Sequence, residues 1–122
     1  MMREKEILRA IAEGESLHTE FERDVTLTTP AKICSIANRG GGLLLIGVSD
    51  DGRVVGCNYR KCVPRITASL KSITPLPEIS VEKLRIDGKD VVLVRVGKSR
   101  RLCSMGGVSY IRLGSVLPSQ VS

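Results

Sequence analysis

The sequence predicts an α+β fold: one compact domain with a mixed or antiparallel sheet and two to three helices. Three observations predict it. The chain has 122 residues, enough for one hydrophobic core and too few for two. Segments with helical spacing of apolar residues occur between segments with strand-like alternation. The apolar share of 42% is typical of a globular protein. Residues 1–122 are therefore expected to form a single domain.

Three segments have the apolar spacing of an amphipathic helix. The first covers residues 2–13 and ends before Gly14, a residue type common just after a helix. The second follows a threonine and Pro30, the pattern of a helix start, and continues to residue 38. The third covers residues 60–73. These three segments are the predicted helices.

The segment LHTEFER predicts the first strand, because its apolar and polar residues alternate. Leu17 and Phe21 are expected to face the core. His18, Glu20 and Glu22 are expected to share the opposite face.

Five further strands are predicted. The apolar run at 43–48 fits a strand buried on both faces, and residues 43–57 fit a hairpin that turns at an Asp-Asp-Gly sequence. Residues 79–86 and 90–96 fit strands on either side of a second turn. A last strand is expected at 108–114.

The charge of the chain favours a polyanionic partner, most simply nucleic acid. Lys and Arg outnumber Asp and Glu 19 to 13, which gives a net charge of +6. Solvated surface charge is the alternative explanation. Aromatic residues are scarce, so the protein is not expected to bind nucleic acid by stacking on its bases. Contacts with the backbone of folded or duplex RNA are expected instead. The candidate nucleic-acid-binding residues are Arg60, Lys61, Arg65, Lys98, Arg100, Arg101 and Arg112.

The sequence does not favour a membrane protein, a zinc site or a phosphate-binding loop. No segment has the length of a membrane span and the first residues lack a signal-peptide pattern, so a cytoplasmic protein without a membrane partner is expected. The four cysteines are expected to be reduced thiols. Cys57 and Cys62 are spaced like half of a zinc site, but no second close pair follows. Gly40, Gly41 and Gly42 precede a strand, which favours a helix end over a phosphate-binding loop.

Acidic residues suggest a site for a hard divalent cation, because carboxylates hold Mg²⁺ or Mn²⁺. The candidates are Glu15, Glu20, Glu22 and Asp50. The Asp-Gly turn explains the aspartate at 51 but does not require Asp50. Glu15 and Glu20 have opposite strand parity, so they converge only if Glu15 lies in the loop after the first helix. His18 would either orient a water molecule or lie on the surface. The alternative to a metal site is that these acidic residues lie on the surface without a function.

Three stretches together resemble the Schlafen AlbA-type domain: GESLHTEF (14–21), ANRGGGLLLIGVSDDGRVVG (37–56) and YIRLGS (110–115). The resemblance covers residues 14–115. It implies a metal-dependent endoribonuclease that cleaves tRNA or similar structured RNA with Mg²⁺ or Mn²⁺. Glu15, Glu20 and Asp50 match the carboxylates of that site and would be both catalytic and metal-binding. His18 and Arg39 lie within these stretches as candidate accessory residues.

The sequence also departs from the family pattern. Glu22 stands where the family usually has lysine, and Arg39 stands where a small polar residue is common. Active animal members pair two such lobes around RNA, so this chain would need a homodimer to form a similar cradle. The alternative function is a non-catalytic module or regulator that binds DNA or RNA. A dimerising scaffold without a nucleic-acid role is the third.

Overall fold

A computed structural model of the chain describes residues 4–105, 108–110 and 120–121. Three helices occur in these residues: α1 (Glu4–Glu13), α2 (Thr29–Asn38) and α3 (Tyr59–Leu70). The strands in the same residues are β1 (Thr19–Glu22), β2 (Gly42–Ile46), β3 (Ile73–Thr74), β4 (Ile79–Ile86), β5 (Lys89–Val96), β6 (Ser104–Met105), β7 (Val108–Tyr110) and β8 (Gln120–Val121).

The central sheet has the strand order β1-β2-β5-β4. β1 and β2 are parallel, whereas β5 is antiparallel to both of its neighbours. Short strands form a second sheet in the order β3-β6-β7-β8. The predicted α+β domain with a mixed sheet is confirmed.

Both faces of the central sheet are covered, and β2 therefore supplies side chains to two cores. Leu44 and Ile46 belong to the core beneath α2 and α3. Leu45 belongs to the core beneath α1, together with Phe21 and Leu93. A strand buried on both faces has no position for a polar side chain. This explains the continuous apolar run in β2.

The helix boundaries follow local chemistry. The backbone N–H of Gly14 bonds the Ala10 carbonyl at 3.2 Å, and its φ of +85° ends α1 as predicted. The Asn58 side chain accepts from the backbone N–H of Lys61 at 3.2 Å and so caps α3. The third helix ends earlier than predicted, because Ile73 pairs in β3 instead.

Two predictions about the strands are wrong, and a third can be compared with the structure only in part. Leu17 is 52% exposed because it precedes β1, so it does not face the core. Residues 43–57 do not form a hairpin of two full strands: only Val48 and Val54 bridge beyond β2, whose strand neighbours are β1 and β5. Of the last predicted strand, 108–114, the structure describes residues 108–110 as β7, and the remainder lies outside the described residues.

The central sheet has two ends that position the candidate residues. At the first, β1 and β2 begin and β5 ends; we call it the His18 end. At the second, β1 and β2 end and β5 begins; we call it the Asp90 end. β5 has eight residues, so the two ends are roughly 25 Å apart at about 3.3 Å per residue.

None of the helices found in the described residues is long and apolar enough to cross a membrane. The four cysteines are free thiols, and Cys34, Cys62 and Cys103 are buried.

Candidate functional site

Glu15 lies beside the free edge of β1. Its Oε1 accepts a hydrogen bond from the backbone N–H of Phe21 at 3.3 Å. The Ser16 backbone N–H bonds the Thr19 carbonyl at 2.9 Å, so the loop after α1 runs back along the strand. Glu15 therefore reaches the strand that carries Glu20, by the loop route that the sequence required.

Glu20 is buried on β1 and only 2% exposed. Its Cα partner is Leu44, whose side chain lies in the core beneath α2 and α3, so Glu20 points to the same face. The sequence predicted that Glu20 and Glu22 share a face, and they do. Both are nevertheless buried, because α2 covers that face.

Asp50 is exposed in the turn beyond the end of β2, six residues after the Leu44 that pairs with Glu20. The turn is closed by Ser49, whose backbone N–H bonds the Arg53 carbonyl at 2.9 Å and whose hydroxyl bonds Asp51. This hydroxyl is the main reason that the pKa of Asp51 lies below its usual value. Asp51 is therefore hydrogen-bonded within the turn, whereas Asp50 is exposed at the surface.

The three predicted carboxylates are not assembled into a ready metal site. Across residues 4–105, no three His, Cys, Asp or Glu side chains are grouped so that they could hold a metal ion. Glu15 and Glu20 are brought to the same strand, whereas Asp50 lies in a separate turn.

Glu22 has an internal partner that the sequence did not predict. Its carboxylate accepts from the Thr29 hydroxyl at 2.8 Å and lies 3.3 Å from Nζ of Lys32. Glu22 is 5% exposed. The negative charge at this position is therefore balanced by α2 and is not presented at the surface.

His18 is held by a backbone carbonyl at the His18 end. Its Nδ1 lies 2.8 Å from the oxygen of Gly41. A carbonyl only accepts, so Nδ1 carries the proton and Nε2 is the acceptor in the neutral ring. The side chain is exposed, so Nε2 is available to a bound molecule.

The guanidinium of Arg39 lies beside His18, and its hydrogen-bonding capacity is only partly used. Its Nη1 donates to the Leu17 carbonyl at 3.2 Å. Its Nε and Nη2 are buried atoms with no hydrogen-bond partner among the residues described. Burial lowers the pKa of Arg39, although a guanidinium still keeps its charge at neutral pH. Because these two atoms are buried, the guanidinium would have to turn outward before they could reach a phosphate oxygen.

The predicted basic residues divide between the two ends of the sheet. Lys98, Arg100 and Arg101 follow β5 at the His18 end. This loop passes close to Gly41, whose carbonyl holds His18. A Cβ added to Gly41 would lie 3.0 Å from the backbone nitrogen of Lys98.

The remaining basic residues lie elsewhere. Arg60 and Lys61 begin α3 at the Asp90 end, where Arg60 lines a cavity with Asp90. Arg65 is paired with Asp24 at 3.2 Å. Arg112 lies outside the described residues. A single basic track along the domain is therefore not what the described residues form.

The fold and the site define a small α+β domain that carries exposed cations at one end of a mixed sheet, with Glu20 on its edge strand and Glu15 hydrogen-bonded to that strand. The chain belongs to the Schlafen, AlbA_2 family, whose model matches residues 15–116. This confirms the predicted family and supports a nucleic-acid-related role. No curated protein matches the chain.

Solved structures that are similar to this chain include the following two. One is the N-terminal domain of a protein related to the ATP-dependent DNA helicase RecG, from Nitrosomonas europaea. It has a TM-score of 0.66 and 21% identity over 95% of this chain and 92% of that domain. The other is the DIP2311 protein of Corynebacterium diphtheriae, with a TM-score of 0.61 and 15% identity over 84% of this chain. This chain covers 22% of the length of the DIP2311 protein.

Proposed function

We propose that this domain binds RNA through the phosphate backbone at the His18 end of the sheet. The observation that carries the proposal is the group of cations there. Lys98, Arg100 and Arg101 are exposed, and none of them forms an ion pair within the described residues. The half-buried guanidinium of Arg39 adds positive charge in the same part of the chain. Exposed cations without an ion-pair partner are suited to phosphate oxygens.

Folded RNA fits this surface better than unstructured strands. The chain has one Phe, two Tyr and no Trp, so it offers few aromatic platforms for stacking successive bases. Recognition then depends on backbone charge and shape, as it does for double-stranded RNA.

The binding test measures the affinity of a tRNA by fluorescence anisotropy over a range of salt concentrations. The test variant replaces Lys98, Arg100 and Arg101 with Ala. The control replaces Lys5, Arg9 and Arg85, three exposed cations elsewhere in the domain, and so removes the same charge. We expect the test variant to lose roughly tenfold or more in affinity at low salt and the control to lose much less. Equal losses would reduce the effect to net charge and would contradict a defined binding surface.

A second candidate function is metal-dependent cleavage of the bound RNA, which the family resemblance predicts. The observation that favours it is the position of Glu15 beside the strand that carries Glu20. Mg²⁺ is often held by one or two carboxylates together with water and substrate phosphates. Glu15 and Glu20 would hold Mg²⁺ or Mn²⁺, and Asp50, exposed in its turn, is the third candidate ligand. When bound, the ion would neutralise charge that develops on the phosphodiester.

Residues of the His18 end would position the RNA and accept a proton. Lys98, Arg100 and Arg101 would orient the RNA backbone, and Arg39 would add positive charge beside it. The Nε2 of His18 would take up a proton, since its Nδ1 is hydrogen-bonded to Gly41.

The cleavage test incubates the protein with tRNA, with and without Mn²⁺ or Mg²⁺. Glu20→Gln keeps the size of the side chain and removes its charge, and Glu82→Gln on β4 is the control. Metal-dependent fragments that disappear with Glu20→Gln, while binding persists, would support catalysis. Intact RNA under every condition, with normal binding, would leave the domain as a binding module.

The predicted homodimer also stays a proposal. Two copies would give RNA two basic surfaces instead of one. Sedimentation of the protein with and without tRNA tests it: a two-to-one complex is expected, and a one-to-one complex would contradict it.

A further inference from the structure

A cavity of about 350 Å³ opens at the His18 end, between residues 75–78 and residues 98–101. This volume is at the lower end of the range for small-molecule sites, about 300–1,000 Å³. One wall is the basic loop that follows β5. The other is the segment that leads from β3 to β4. The cavity thus lies within the surface that we assign to RNA binding.

Both walls are tied to the body of the domain. The backbone N–H of Gly97 bonds the Glu78 carbonyl at 2.8 Å, which joins the two walls at their base. The N–H of Ser99 bonds the Ala37 carbonyl of α2 at 3.0 Å. On the opposite wall, the Cys103 thiol bonds the Pro75 carbonyl at 3.0 Å. A cavity with fixed walls loses little conformational entropy when a ligand binds.

The lining combines three kinds of chemistry. Lys98, Arg100 and Arg101 provide positive charge on the loop wall. Leu76, which is 55% exposed, provides an apolar surface on the other wall, next to Pro75.

Glu78 adds a single exposed carboxylate to this lining. A carboxylate repels phosphate, so a simple anion site would not include it. A carboxylate does accept hydrogen bonds from a ribose hydroxyl. The combination of cations, an apolar surface and one acceptor matches the three parts of a ribonucleotide.

We propose that this cavity binds one unpaired ribonucleotide of the RNA. The basic loop holds its phosphate, Leu76 and Pro75 contact the face of its base, and Glu78 accepts a hydrogen bond from the ribose 2′-hydroxyl. This inference rests on the proposed RNA binding, since it assigns a subsite within the same surface. It adds recognition of a bulged or terminal nucleotide to a grip on the backbone.

The first test compares two RNA hairpins with the same stem, one fully paired and one with a single-nucleotide bulge. Affinities are measured by fluorescence anisotropy for the unmodified protein, Leu76→Asp and Leu27→Asp. Leu27 is a matched control because it is 96% exposed and does not line the cavity. Both variants change an exposed leucine, so neither is expected to disturb the core.

We expect the unmodified protein and Leu27→Asp to bind the bulged hairpin roughly five- to tenfold more tightly, a range set by the contact of one base with a protein surface. Leu76→Asp should bind both hairpins equally. If the unmodified protein shows no preference, or Leu76→Asp keeps it, the subsite is wrong although RNA binding stands. If neither hairpin binds to any variant, the proposed function itself fails.

The second test replaces the bulged ribonucleotide with its 2′-deoxy form. The unmodified protein should bind the deoxy form several-fold more weakly, because Glu78 loses its hydrogen-bond donor. Glu78→Ala should bind the two forms equally. Glu78→Ala removes a negative charge and would raise the affinity for any RNA. The ratio of the affinities for the two RNA forms does not depend on this general gain. A ratio that is the same in both proteins would contradict the role of Glu78.

Discussion

Nζ of Lys32 lies 3.3 Å from Oε2 of Glu22, and the two side chains are 19% and 4% exposed. The pair joins α2 to β1 across the core face of the sheet. It also explains how the chain accepts an acidic residue where the family usually has lysine, since the charge is balanced within the domain.

Glu22→Ala should therefore destabilise the protein strongly. The change leaves the amine of Lys32 half-buried without its carboxylate, and the Thr29 hydroxyl loses its acceptor. Removing one partner of a buried pair costs about 3–5 kcal/mol. Urea unfolding measures the loss. Arg65→Ala is the control, because its pair with Asp24 is more than half exposed, and we expect a change of about 0–1 kcal/mol. Similar losses in both variants would contradict a buried role for Glu22.

Gly42 is required by the close approach of β1 and β2. A Cβ on Gly42 would overlap the carbonyl oxygen of His18 and lie 2.8 Å from its carbon. Gly42→Ala should push the strands apart and cost about 2–3 kcal/mol or more, as overpacking does in a core. Gly88→Ala is the comparison, because it has a φ of +74° but no atom within 4 Å of the new Cβ. Backbone strain alone costs about 1–2 kcal/mol there. Thermal unfolding distinguishes the two, and an equal loss would exclude the steric cause.

The stability of the domain should fall at alkaline pH because of Cys62. Burial first, and then the neighbouring thiol of Cys57 and the charge of Asp24, raise the pKa of Cys62 from 9.0 to about 12. Below pH 9 the thiol is protonated in both states, so its contribution is fully present. Between about pH 9 and 12 the unfolded thiol ionises and the folded one does not, so stability is lost.

The measurement is the free energy of unfolding at pH 8, 9 and 10, for the unmodified protein and Cys62→Ala. Other groups titrate in this range, so the informative quantity is the difference between the two proteins. The unmodified protein should lose stability more steeply as the pH rises. Parallel curves would show that Cys62 does not titrate differently in the folded state.

The cations of the His18 end, and not those of the Asp90 end, should determine the salt dependence of RNA binding. Each phosphate contact adds about 0.7–0.9 to the slope of log affinity against log salt concentration. Arg100→Ala should reduce that slope by about this amount, while Arg60→Ala should leave it unchanged if RNA occupies the His18 end alone. A reduced slope for Arg60→Ala would mean that RNA spans the roughly 25 Å between the two ends.

Local patterns predicted many of the elements correctly. Gly14 ends α1, and the apolar run in β2 lies between two cores, because both features depend on short-range geometry and on burial. The turn before β5 was also found, since Asp87 and Gly88 both adopt positive φ, as a tight hairpin requires.

The errors arose where a distant segment changed the surroundings of a residue. Alternation placed Glu20 and Glu22 on one face correctly, but it could not show that α2 covers this face. Leu17 was assigned to the core because the alternating pattern extends further than the strand does. The pairing of Glu22 with Lys32 had no signal in the sequence, because ten residues and a chain reversal separate them.

The sequence by itself determined the fold class, the family and the candidate residues, because these depend on periodicity and on motifs that are local in the chain. Only the tertiary structure decided how those residues are grouped. It brought Glu15 to β1, left Asp50 in a separate turn and divided the basic residues between two ends of the sheet. It also formed the cavity beside Leu76 from two segments about twenty residues apart. Such groupings depend on strand order and register, which no local pattern specifies.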